Sequence, residues 1–171
     1  PDGWEVTPRL SVGAGADTRN RKVDPRRGLL AEIRFSQAGY PGGVQNYREY
    51  LADFRIWHEW IPRHIVHGGA MGRYRPGSIA PYDYLFVGGT NTLRTYVPDE
   101  KLFALHEIIC TAEYRYEAIP RMPLTLWRLN FYLGLELVCG TDQVWIWRDE
   151  RAAERFRRLA GYYAGFHVLA P

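Results

Sequence analysis

The stretch LTLWRLNFYLGLELVCG, from Leu124 to Gly140, places Trp127, Leu129, Phe131, Leu133, Leu135, Leu137 and Cys139 on odd positions. Arg128, Asn130, Tyr132, Gly134 and Glu136 fall between them. Side chains of a strand point alternately to opposite faces, so a period of two makes one apolar surface and one polar one. Strands of soluble proteins usually hold about 5 to 6 residues, whereas several runs in this chain keep the alternation for roughly 11 to 16. The length of the alternation, more than its strength, decides the fold.

Outward from that run the same rule returns six more times. Before it, 103–117 sets Ile108, Cys110, Ala112, Tyr114 and Tyr116 against Thr111, Glu113, Arg115 and Glu117, with a turn expected at Ile119 to Pro123. Further upstream stand 4–16, the run from Leu29 to Ser36, 46–57, and a glycine-diluted run at 64–74. Beyond the central run comes a loop at 141–155, with a short helix expected at Arg151 to Arg158, and then a seventh strand carrying Ala160, Tyr162, Ala164, Phe166 and Val168 on one face. Short turns (58–63, 118–123) alternate with long loops (38–45, 75–101, 141–155), and the turn from Asp17 to Gly28 is the exception. The reading is all-β: an antiparallel meander of about seven long strands.

Composition narrows the function classes. With 46% hydrophobic and 15% aromatic residues in 171, the chain is not a disordered segment. A net charge of +3 without a basic tract argues against nucleic acid as a partner. Two cysteines make no disulfide framework, and no cofactor or zinc-type spacing is present. His64 and His67 fall on opposite faces of a strand, which disfavours a metal site. No G-x-S-x-G motif occurs among the three serines, so no hydrolase chemistry is expected; the chain reads as non-enzymatic. It opens at Pro1 and closes at Pro171 within an apolar stretch, which reads as a fragment.

No window of 18 residues is continuously apolar, which excludes a membrane-crossing helix but not a membrane barrel, whose strands need only about 9 to 11 residues. The apolar face would meet lipid, the Glu/Arg/Gly face would line the lumen, and Trp57, Trp60, Trp145, Trp147, Tyr114 and Tyr116 would form interfacial girdles. The alternative is a soluble, Tyr/Trp-rich carbohydrate-binding sandwich. Cys110 and Cys139 would both face lipid, about eight rungs or roughly 25 Å apart, and would not bond to each other.

The long loop holds Gly88, Gly89, Leu93, Arg94, Thr95 and Tyr96, and about twenty residues later come Glu113, Tyr114 and Arg115. This resembles the outer-membrane assembly and secretion superfamily of BamA and TamA insertases and two-partner-secretion transporters, with its GG loop, (L/V)RGY motif and E-Y-R-F strand. Asp17 to Asn20, followed by Pro25 and Gly28, is similar to the family's D-T-R-D…P-x-x-G turn. The resemblance implies a bacterial outer-membrane barrel of about sixteen strands, of which this chain supplies roughly the eighth to the fourteenth. It implies as partners the membrane lipid, client outer-membrane or secreted proteins, and further strands and N-terminal POTRA domains of the same protein. Some members carry a patatin-like lipase ahead of the barrel, so a lipase anchor is the alternative.

The resemblance further implies that loop 75–101 folds into the lumen and that Arg94 pairs with the barrel wall. An arginine in a loop is most simply a solvated side chain; the combined GG, LRTY and EYR spacing reverses that reading. By parity Glu113 and Glu136 point inward and are its expected partners, with Arg115 beside them. The family's next strand carries F-x-D-x-G, matched here to Glu136, Val138 and Gly140, so Glu136 is expected to stand in for the aspartate missing at Val138. Thr95 replaces the motif glycine.

Overall fold

The computed structural model describes residues 6–41, 43–88, 93–95, 103–127, 129–148 and 156–169, with the backbone alone at 124, 126 and 129–132. In chain order the strands are β1 (Arg9–Asp17), β2 (Gly28–Gly39), β3 (Asn46–Ile61), β4 (His64–Tyr74), the two-residue β5 (Gly77–Ser78), β6 (Leu85–Phe86) and β7 (Phe103–Ala104), then β8 (His106–Leu126), β9 (Leu129–Trp147) and β10 (Arg157–Leu169). The seven long strands pair in the order β1-β2-β3-β4-β8-β9-β10, each antiparallel to its neighbours. The meander read from the alternation is the observed topology. Its sheet is open, with β1 and β10 as edges among the described residues.

Register carries one apolar face across all seven strands. Val12 lies opposite Phe35, Phe35 opposite Tyr50 and Tyr50 opposite Tyr74. A slip of one residue would bring the charged set to this face, so pattern and register enforce each other. Val12, Phe35, Phe54, Leu137 and Phe166 are all exposed on it. An apolar surface this continuous needs an apolar partner.

Three expectations about the elements are corrected. The turn expected at Ile119 to Pro123 is strand; β8 runs on to Leu126 and the hairpin reverses at Trp127, which has φ 56° and is 95% exposed. Pro120 is absorbed where the β8–β9 register shifts between Ile119 and Met122, and Pro123 lies just beyond that shift, opposite Tyr132. A bulge accommodates a residue that cannot donate to the ladder, so Pro120 does not end the strand. The loop expected at 141–155 is likewise strand as far as Trp147, because Gly140, Asp142, Val144 and Ile146 continue the inward series. Of the expected helix, Arg157 and Arg158 belong to β10, and 151–155 lie outside the described residues.

The new register also moves the cysteines. Cys110 lies opposite Gln143 and Tyr114 opposite Cys139, so the thiols are four rungs apart, about 13 Å, and both are free. Trp57 is not a girdle residue: it points to the polar face, is 6% exposed and stacks on His67 with ring centroids 4.7 Å apart.

The described residues between β4 and β8 lie across the polar face. Leu85, Val87, Leu93 and Ala104 pack on Ile109, Val144 and Ile146 to make a small apolar core. Leu93 is fully buried, so the loop is seated by packing as well as by charge.

Candidate functional site

Leu93 and Arg94 follow one another in the loop, and seating the first brings the second to the wall at a fixed height. Arg94 Nη1 pairs with Glu113 Oε2 on β8, Nε donates to Asp142 Oδ2 on β9 at 3.1 Å, and its backbone N–H donates to the same oxygen at 3.2 Å. The guanidinium also lies 4.0 Å from the ring centroid of Tyr163 on β10. Three adjacent strands therefore hold one side chain. Burial opposes its charge, but the hydrogen bonds to Glu113 and Asp142 outweigh that, and its pKa stands above the ordinary arginine value.

Each carboxylate is itself oriented. Glu113, 3% exposed, accepts from Tyr163 Oη at 2.7 Å and from Arg115 Nε at 2.5 Å as well as from Arg94. Asp142, 1% exposed, accepts from Thr111 Oγ1 at 3.0 Å. Charge-assisted bonds of this kind survive burial because every partner is fixed before the ion pair forms.

Among the residues singled out in the sequence, Leu93, Arg94, Glu113 and Arg115 are brought together, while Gly88 stands in the loop with φ 135°. Gly89 and Tyr96 lie outside the described residues. Glu136 is corrected: it is fully buried on β9 opposite Glu117 and His167, with its Oε2 4.0 Å from His167 Nδ1. Six residues separate it from Asp142 on the same face, about 20 Å, so it does not reach Arg94. Asp142, and not Glu136, is the second carboxylate at Arg94, although its flanking residues Gly140 and Val144 are not those of the F-x-D-x-G motif.

Asp142 falls in the segment whose sequence reads as a loop at 141–155; the signal for it is the even-numbered inward series, which extends from Glu136 through Gly140 to Asp142. Tyr163 carried the right parity but no signal of its role. Arg75, at the start of the loop and 2% exposed, was missed altogether. It donates from Nη2 to Tyr47 Oη at 2.7 Å and from Nη1 to the Asp83 carbonyl at 2.6 Å, and its Nε lies 3.3 Å from Glu49 Oε2. Its backbone N–H donates to His106 Nδ1 at 3.0 Å.

Two glycines on the wall make room for this arrangement. A Cβ at Gly161 would collide with the Thr95 hydroxyl, and one at Gly140 would lie 2.6 Å from the Ala112 carbonyl oxygen and against the Tyr163 hydroxyl. Gly140→Ala is therefore expected to push Tyr163 off Glu113 and to destabilise the sheet by about 1–3 kcal/mol, as overpacking does. Thermal unfolding in detergent, with tyrosine fluorescence as the local probe, checks this; an unchanged midpoint would show that the wall relaxes freely there.

A loop arginine clamped by a glutamate and an aspartate on neighbouring strands of a long-stranded meander is now joined by a family match. The Omp85 superfamily domain matches residues 2–100, more than half of the chain. The chain belongs to the Omp85 superfamily. Over 100 residues it is 26% identical to the outer membrane protein assembly factor BamA of Nitratidesulfovibrio vulgaris, covering 56% of this chain and 13% of that protein. The chain thus spans a small part of the relative's length. As an Omp85 chain it resides in the bacterial outer membrane and forms a non-enzymatic arc of a transmembrane barrel whose apolar face meets lipid.

Proposed function

We propose that this Omp85 chain is the part of a protein insertion or translocation factor that holds the long loop inside the barrel, supplying roughly strands eight to fourteen of about sixteen. The polar face is the lumen wall, the described loop residues 75–88, 93–95 and 103–105 enter it from the long-loop rim, and Arg94 is the brace. The observation that carries this reading is the double grip of Glu113 and Asp142 on Arg94, the arginine of the loop's LRTY run. Clients are outer-membrane or secreted proteins. They add by main-chain pairing at a seam outside these strands, and the braced loop keeps the rest of the wall rigid while that seam opens.

Depleting the full-length protein tests the function directly. Folded, heat-resistant forms of other outer-membrane proteins, or secreted substrates, should fall, and expression of Asp142→Asn should restore them only in part. Undiminished levels of both client classes after depletion would overturn the assignment to insertion or translocation.

A further inference from the structure

The β1–β2 turn, 18–27, does not simply reverse the chain; it leans across the polar face at the short-turn rim. Asn20 stiffens it by accepting from the backbone N–H groups of Arg26 at 3.0 Å and Arg27 at 3.2 Å, and Gly28 takes φ 117° where a Cβ would meet the backbone of Thr18. From this frame Arg26 pairs with Glu117 on β8 and, at 3.3 Å, with Glu59 on β3. Asp24, whose side chain is 9% exposed, accepts from Arg115 Nη1 at 3.2 Å with one oxygen and from Arg121 Nη2 at 3.2 Å with the other. Between β2 and β8 lie β3 and β4, so the turn spans three strand spacings, about 14 Å.

Arg121 stands on the part of β8 that runs past β4, which pairs with β8 only as far as Tyr116. Arg115 stands one step back, and its guanidinium is shared. Its Nε holds Glu113, which holds Arg94, while its Nη1 holds Asp24. An alternating line of charge therefore runs from Asp142 through Arg94, Glu113, Arg115 and Asp24 to Arg121. It joins a turn from one rim to a loop from the other.

We infer that residues 18–27 form a strap, and that Asp24 is a positioning residue which, through Arg115, sets the carboxylate gripping Arg94. This rests on the reading of Arg94 as the loop brace. The physical reason is competition for one cation. With Asp24 in place, Arg115 is held by two anions at fixed positions and presents Nε to Glu113. Without it, Arg115 is free to swing toward Glu113 or away from the wall, and Glu113 no longer has one fixed orientation for Arg94. Residues within one salt-bridge network couple in this manner, whereas independent sites add.

Hydrogen–deuterium exchange of loop peptides between 80 and 95, in the full-length protein in outer-membrane vesicles, tests the coupling. Arg94→Ala is the reference: if it leaves loop exchange unchanged, the brace reading itself fails. Asp24→Asn should raise loop exchange about three- to tenfold in the wild-type background and by less than about twofold in an Arg115→Gln background, while keeping its full effect with Arg121→Gln. If Asp24→Asn leaves the loop at the wild-type rate although Arg94→Ala raises it, or acts equally with and without Arg115, the strap is a local fixture and the inference is overturned. Should Asp24→Asn fail to give a heat-resistant band, Arg26→Gln releases the strap from Glu117 and Glu59 instead. It should raise loop exchange in the same direction, and wild-type exchange in a folded Arg26→Gln protein is equally fatal.

Discussion

Arg94→Ala is expected to release the loop from the wall, seen as new proteinase K cleavage between residues 75 and 105. Its two carboxylate partners are 3% and 1% exposed, so the substitution leaves buried charges short of their cation. Breaking a buried ion pair by removing one partner costs about 3–5 kcal/mol. Arg115 and Tyr163 still hold Glu113 and Thr111 still holds Asp142, which places the expected loss at the lower end of that range. Arg94→Lys restores the charge but not the site: one ammonium cannot reproduce the planar fork that meets two carboxylates while lying on the Tyr163 ring. It should recover less than half of the loss. A protease pattern identical to wild type in Arg94→Ala would sink the brace.

The second large effect is expected at Arg75, which fastens the start of the same loop near the other rim. Its guanidinium meets Tyr47 and Glu49 on β3 and Asp83 in the loop, and lies 4.6 Å from the Tyr47 ring centroid. Arg75→Ala leaves Glu49, 5% exposed, with Arg9 as its one remaining cation among the described residues and frees the segment around Pro81–Asp83. About 3 kcal/mol of local stability should go, for the same reason as at Arg94. The two variants differ in where the loop opens. Arg75→Ala should expose cleavage sites near 76–84 first and leave Arg94 docked, because Leu93 and its apolar neighbours remain seated. Simultaneous cleavage along the whole loop would instead mean that the loop docks as one cooperative unit.

Both predictions concern residues that the sequence treats very differently. Arg94 was legible because its motif neighbours are local: a glycine pair, an LRTY run and an EYR strand can be read by spacing alone. Glu113 and Arg115 were legible by parity, since period two assigns every strand residue to a face once one residue is assigned. Arg75, Asp24 and Tyr163 had no such handle. Their partners lie 28, 91 and 50 residues away, and nothing local marks an arginine at a loop start or an aspartate in a turn as buried.

What the sequence by itself determined is the face of each strand residue, the number of strands and their antiparallel order, because alternation and turn spacing are local properties. The apolar face and its place in a membrane barrel follow from these. The tertiary structure decided the register, and with it which inward residues stand at one height. Reading the turn at Ile119 to Pro123 set residue 110 opposite about 131 and ended the strand before Asp142, so parity and the motif match pointed to Glu136 as the partner of Arg94. Moving the reversal to Trp127 set Gly140 opposite Glu113 and brought Asp142 to the guanidinium. Parity says which way a side chain points; only the pairing of strands distant in the chain says what it meets, because register is settled by the summed fit of the two strands and not by either one.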